Sequence, residues 1–275
     1  MKYLEEKLIT ESGTSDVALE TWDTEMLLQA MNEADKAVAY AVEKALPSIA
    51  ALTHAVYQKL KDGGRLFYIG SGTSGRLGIV DASELPPTFG VSPEKVIGII
   101  AGGNNAVFKA VEFAEDDTEQ GWRDLQAHRV TFKDIIIGIS ASGRTPYTLG
   151  ALTKAKQQAI TTGCIVCNPQ SSIAQIVDFP VEIVAGSEFI RGSTRLKAGT
   201  AQKMALNMIS TVAMIRLGHI KGNVMVDMQL SNQKLIERAT RILIEQTGLS
   251  YNEAREKLIY WGSLRLALEK CNRTV

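Results

Sequence analysis

Apolar residues along the 275-residue chain follow two alternating rhythms. Short runs, apolar almost throughout and rich in β-branched residues, occur at Arg65–Ile69, Val96–Ile100, Asp134–Ile139, Cys164–Cys167 and Val181–Val184. Such runs mark strands covered on both faces. Between them, residues 75–84, 104–113, 117–128 and 145–159 place apolar side chains at helical spacing. Strand following helix in this way predicts a parallel, doubly wound α/β sheet with helices on both sides.

The flanks read differently. Residues 1–23 are polar and weakly periodic, and are expected to form an arm. From Thr24 to Lys61 the pattern is helical, with Met26, Leu27, Ala30, Met31, Ala34 and Val38 on one stripe. Pro47 predicts the first turn of a second helix, and Asp62-Gly63-Gly64 its end. After Ser193 only helical patterns remain. Lys197–Leu217 stops at Gly218, Ser231–Thr247 stops at Gly248, and Ser250 with Glu253 has capping-box spacing. The expected division is an arm (1–23), an α/β domain with its leading helices (24–220) and a C-terminal helical region (221–275).

Thirty basic and thirty acidic residues cancel, so neither nucleic acid nor an acidic membrane is an expected partner. Any anion site must therefore be local. No apolar run approaches the roughly 20 residues of a membrane span, and MKYLEEKL lacks the apolar core of a secretory signal. A cytoplasmic protein is expected. Cys164 and Cys167 share a strand on opposite faces, which reads as core rather than as a redox or zinc pair. His54, His128 and His219 are scattered and fit no triad or H-E-x-x-H pattern. Core or solvated roles are expected for all three.

Two strand ends echo each other. FYIGSGTSGR (67–76) and IIIGISASGRT (135–145) both leave an apolar run, pass through Gly, Ser and Thr, reach Ser-Gly-Arg and enter a helix. Such loops present unpaired backbone N–H groups, small hydroxyls and the positive end of a helix dipole, all suited to a phosphate. Ordinary turn chemistry explains one such loop; two at strand ends predict a crevice for a phosphorylated small molecule. Gly70 to Gly75 also fits G-x-G-x-x-G. The strand after it, however, runs into Ala101-Gly102-Gly103-Asn104-Asn105 without the acid that would hold a ribose. A dinucleotide is therefore not expected. Arg76 and Arg144 are read as packing against the sheet ends.

The run GSGTSGRLGIVDASELPPTFG (70–90) resembles the signature of the N-acetylmuramic acid 6-phosphate etherases. These belong to the sugar-isomerase (SIS) superfamily and are similar to glucokinase regulatory protein. Collinear matches follow at AGGNNAVFKAVEFAEDD (101–117), ASGRTPYTLGAL (141–152), GSTRLKAGTAQKMALNM (192–208) and GNVMVDM (222–228), so the resemblance spans about residues 20–230. It implies an SIS fold, a homodimer and cleavage of the D-lactyl ether of N-acetylmuramic acid 6-phosphate, without metal or redox cofactor. It also implies two catalytic glutamates, which fall on Glu84 and Glu115. For the phosphate, Ser71, Ser74, Ser140 and Ser142 are expected to bind, with Thr73 and Thr145 as second choices. Ser71 stands where many relatives carry alanine, and the chain stops at Val275 with a shortened helical tail.

The chemistry reads the same way. An ether is a poor leaving group, and its loss is easiest beside an acidified C–H. Opening the sugar exposes a C1 aldehyde; a base then takes the C2 proton while an acid protonates the departing C3 oxygen, and water adds to the double bond. Glu84, expected to end a helix before Pro86-Pro87, faces a dipole that disfavours negative charge and is the expected acid. Glu115 is the expected base, although the two roles can exchange. Asp116 with Glu119 fits a capping box, and Glu112 a helix-face charge. Arg191 to Lys197 offers positive charge to the site or a dimer seam, or is a solvated helix start. Two alternatives are a non-catalytic sugar-phosphate regulator and an aldose–ketose isomerase, which would need no acid at C3.

Overall fold

The computed structural model describes residues 8–13, 17–111 and 113–271. Helix α1 (Thr24–Lys44) begins where Asp23 accepts the Met26 N–H at 2.7 Å. Helix α2 (Leu46–Lys61) carries Pro47 in its first turn, where no donor is lost. The strand–helix alternation follows: β1 (Leu66–Gly70), α3 (Gly72–Phe89), β2 (Val96–Ile100), α4 (Asn105–Phe108), α5 (Gln120–Ala127), β3 (Ile135–Ser140), α6 (Pro146–Gln157), β4 (Thr161–Val166), α7 (Ser172–Ile176) and β5 (Phe179–Glu182). Helix α8 (Lys197–Arg216), a small hairpin of β6 (Ile220–Lys221) and β7 (Val224–Met225), and helices α9 (Gln233–Thr247), α10 (Tyr251–Trp261) and α11 (Leu264–Cys271) complete the chain.

The five strands are parallel in the order β2-β1-β3-β4-β5. Successive strand residues alternate between two cores. Leu66 and Tyr68 pack with α1, α2 and α8, whereas Phe67 and Ile69 pack with α5, α6 and α7. Cys164 and Cys167 fall one in each core, and burial pushes both thiols up to about 12. Strand order reverses between β1 and β3, the position where open α/β sheets bind ligands. Both Ser-Gly-Arg loops leave the sheet there.

Some boundaries differ from those expected, for local reasons. β4 starts three residues early because Thr161 and Thr162 are themselves β-branched and pair with Ile135 and Ile136. β5 takes in Pro180 because it is an edge strand, where a missing N–H costs nothing. The helix expected over 104–113 is only α4, and the one expected from 117 starts at Gln120. The loop before α5 is organised by Asp117, which accepts the N–H groups of Glu119 and Gln120, so Asp116 is not the cap. Glu112 lies outside the described residues, as do 1–7 and 14–16 of the expected arm. Of that arm, Ile9 and Thr10 dock on the Asn168 side chain just beyond β4.

α3 departs most from expectation. It runs through Pro86 and Pro87 to Phe89 and closes on Gly90. The two prolines remove only the donors to residues 82 and 83 in the penultimate turn, and the Gly90 N–H bonds Pro86 O at 2.9 Å. Gly90 has φ +67°, and a Cβ there would lie 2.3 Å from the Asp227 carbonyl, so only glycine fits.

Asp227 ties the C-terminal helices, which have their own apolar core, to the end of α3. Its carboxylate takes Arg265 at 2.6 and 2.7 Å and His219 Nδ1 at 2.8 Å, and the Gln229 N–H bonds Pro87 O. His219 thus has a carboxylate hydrogen-bond partner that its isolated position in sequence did not suggest. Ser250 and Glu253 form the expected capping box.

A second clamp lies under the opposite end of the sheet. Burial alone would raise the Asp134 carboxyl, but hydrogen bonds from Arg65 and from the Thr131 and Arg65 N–H groups outweigh it and hold it below the usual range. Its contribution is complete above the ordinary carboxylate value of 3.8 and is lost as pH falls through the lower folded value. Asp134→Ala should cost about 3 kcal/mol at neutral pH and flatten the acid limb of stability, measured by denaturant melts from pH 7 to pH 2.

Candidate active site

The first cup is the turn from β1 into α3. Ser71 sits at the N-cap in extended geometry, and its side chain makes no capping bond. Its Oγ is buried with no hydrogen-bond partner among the described residues. The first N–H groups of an 18-residue helix face the same space without intrahelical acceptors. Ser74, in the first turn, is buried and donates its hydroxyl to Gln202 Oε1 on α8 at 2.9 Å. Thr73 lies against Gly199 of α8.

The second cup is the turn from β3 into α6. Ser140 Oγ lies 2.8 Å from Thr145 Oγ1 and 3.4 Å from Ser142 Oγ, and accepts the Gly143 N–H at 3.1 Å. Ser142 Oγ accepts the Arg144 N–H at 3.2 Å. Three of the expected residues thus form one hydroxyl cluster. Gly143 holds φ +67° at its centre.

Glu115 stands beside the first cup. It is exposed on the turn 113–116, whose start is the positive-φ residue Phe113. Its carbonyl accepts the Tyr147 N–H at 2.9 Å, which pins the turn to the start of α6, just after the second cup. A cavity of about 190 Å³ is shared by Ser71, Arg76, Ala101, Phe113 and Glu115. Arg76 therefore lies in the cavity wall, with its Nε on Val107 O at 2.9 Å, and does not merely pack against the sheet.

Glu84 lies elsewhere in the same chain. Twelve residues separate it from Gly72 along α3, roughly 18 Å at the helical rise. It is exposed and lines a different cavity, about 470 Å³, with Asp81, Thr88, Asn207, Thr211 and Asn223. Because α3 continues past the prolines, Glu84 does not sit at the helix terminus that was expected to favour its protonated form. One turn before it, Asp81 accepts Tyr68 Oη at 3.0 Å, Asn207 Nδ2 at 2.7 Å and Ser210 Oγ at 3.1 Å. Burial nevertheless pushes the Asp81 carboxyl up, against the pull of these donors and of Lys203.

At the end of the basic stretch before α8, an internal carboxylate takes up the helix start. The Glu188 carboxylate takes the Lys197 and Ala198 N–H groups at 2.8 and 2.9 Å, and Lys197 Nζ turns to Ser187 O. That helix start is already occupied. Among the described residues, no group of three or more His, Cys, Asp or Glu is placed to hold a metal ion. No helix among them is long and apolar enough to cross a membrane.

Residues 48–156 match the N-terminal SIS domain of glucokinase regulatory protein, 110–212 match the SIS domain, and 222–261 match the C-terminal lid domain of glucokinase regulatory protein. An N-acetylmuramic acid 6-phosphate etherase of Porphyromonas gingivalis is 52% identical over 95% of this chain and 95% of its own. Etherases of the same name from Bacteroides fragilis and Christiangramia forsetii are 50% and 51% identical, over 91% and 94% of this chain and 89% and 95% of theirs. The chain belongs to the N-acetylmuramic acid 6-phosphate etherase family. Its fold is shared with a phosphoheptose isomerase from Francisella tularensis, with a TM-score of 0.53 and 17% identity over 71% of this chain and 98% of that one.

In this etherase-family chain, three residues that bear on the site were not singled out in the sequence. Arg76 reads in sequence as packing at a sheet end, and nothing local ties Asp81 or Gln202 to the loops. Gln202 carried a legible signal: it is a polar residue at a helical position shared with Ala198, Ala201 and Ala205, all of them buried.

Proposed function

We infer that this protein cleaves the lactyl ether of N-acetylmuramic acid 6-phosphate, giving N-acetylglucosamine 6-phosphate and D-lactate as a carbon–oxygen lyase. The observation that carries this reading is the shared cavity. It puts an unpartnered serine hydroxyl, helix-terminal N–H groups, a guanidinium and a carboxylate around one space, in a chain half-identical to named etherases. The phosphate occupies the cups, held by hydroxyls of Ser71, Ser74, Ser140 and Ser142 and secondarily by Thr73 and Thr145. Glu115 then stands over the sugar carbons as the base that takes the C2 proton. Glu84 delivers a proton to the departing C3 oxygen, and water adds to the double bond left behind.

The distance along α3 supports a particular part for Glu84. A six-carbon sugar held in the first cup does not extend the roughly 18 Å to Glu84 of the same chain. The working site is therefore built between two copies, Glu115 and the cups from one and Glu84 from the other. An apolar rim supports a covered face here: Phe108 and Phe113 are 88% and 82% exposed on the segment that borders the cavity. Breakdown of cell-wall sugar phosphates in the cytoplasm is the corresponding cellular role.

Incubation with N-acetylmuramic acid 6-phosphate should release D-lactate, read by a lactate dehydrogenase assay, with one equivalent of N-acetylglucosamine 6-phosphate. Binding of the sugar phosphate with no lactate released would overturn the reading and leave a sensor. Solvent deuterium at C2 without ether loss would point to an isomerase.

A further inference from the structure

Gln202 is 1% exposed, and among the described residues its Nε2 has no hydrogen-bond acceptor. Its other amide atom, Oε1, accepts the Ser74 hydroxyl at 2.9 Å. A few residues away, on the same turn, Ser71 Oγ is also buried and unpartnered. Buried amide donors are almost always paired, so an orphan beside an anion cup calls for a purpose. The purpose follows from counting protons. A serine hydroxyl has one proton and two lone pairs, and a phosphate dianion offers only acceptors. While Ser74 gives its proton to Gln202 Oε1, it has none for a phosphate. Turning the amide end for end reverses this: Nε2–H donates to Ser74 Oγ, and the hydroxyl proton is released toward the cup.

We propose that Gln202 is a positioning residue of the phosphate site, whose amide turns on ligand binding to free the Ser74 proton for a phosphate oxygen. The proposal rests on the reading of the first cup as a phosphate site. It assigns Gln202 no contact with the reacting carbons, and it gives the Nε2 donor a partner in Ser74 Oγ once a phosphate is bound. α8 thereby becomes a second wall of that cup, although its own N-terminus is closed by Glu188.

A double-mutant cycle separates this from a packing role. The readout is the affinity for N-acetylglucosamine 6-phosphate and for inorganic phosphate, by calorimetry on the full chain, for wild type, Gln202→Met, Ser74→Ala and the double variant. Gln202→Met should weaken both ligands about 5-fold, as expected for one neutral hydrogen bond. It should have no further effect once Ser74 is alanine. Additive losses, or unchanged affinity in Gln202→Met, overturn the proposal. If Gln202→Met does not fold, the isosteric Gln202→Glu serves instead. Its carboxylate can only accept, so it should hold the Ser74 proton, and a binding constant equal to wild type at pH 8 overturns the proposal. Failure of wild type to bind either ligand would instead remove the phosphate reading itself.

Discussion

Glu84→Gln and Glu115→Gln should each lower lactate release by about 10²- to 10⁴-fold, the usual contribution of a positioned acid or base. The two inactive proteins, dissociated together and allowed to reassociate, should recover up to about a quarter of wild-type activity. In a two-fold symmetric pair, about half of the randomly formed dimers are mixed, and each mixed dimer has one site with both glutamates intact. The reason lies in α3. Ser71 stands at the N-cap of α3 and Glu84 lies roughly 18 Å further along it, so a substrate held at the helix start would be out of reach of that carboxylate. Subunit exchange demonstrated by mass, with no return of activity, would show that both carboxylates act within one chain or that one of them does not act.

Gly143→Ala should disable the second cup. Its φ of +67° is strained for any residue with a Cβ, and that Cβ would lie 2.2 Å from Ser171 Oγ and 2.3 Å from Ser171 Cβ. Ser171 caps α7 through its hydroxyl, so relief on that side disturbs a second element. The Gly143 N–H would also leave Ser140 Oγ, the hub of the hydroxyl cluster. We expect a loss of about 2 kcal/mol in stability. The rise in KM should be at least about 10-fold, as for the loss of one or two hydrogen bonds to a charged group. Thermal melts and steady-state kinetics on one preparation check both. An unchanged KM would remove the second cup from the phosphate site.

How much was legible in the sequence depended on the range of the forces involved. The five strands and the two turns that follow β1 and β3 were readable because buried parallel strands are locally apolar and those turns are locally Gly- and Ser-rich. The extent of α3 was not. Proline is a strong local stop signal, but two prolines in a penultimate turn delete donors that matter little there, and packing of Leu85 and Phe89 into the core carries the helix past them. Position 113 misled for the opposite reason. A helical pattern over 104–113 gives way to a left-handed Phe113, because the Tyr147 N–H from the next βα unit takes the carbonyl of Glu115. Gln202 is legible as a polar residue on an alanine-lined helix face, but its partner could not be read locally, since Ser74 is 128 residues away.

The closure of α3 against Asp227 has a mechanical implication. A rod fixed at its far end by Gly90 and the Arg265–Asp227 pair, with the free amides of its first turn at its near end, leaves little slack between the two. Lengthening α3 by a single residue would swing Glu84 by about 100° and shift it 1.5 Å relative to the cup. In a paired enzyme, the helix that grips one sugar by its phosphate would also present the proton donor to the neighbouring sugar, so the two reaction centres would share one pair of struts and keep a common spacing.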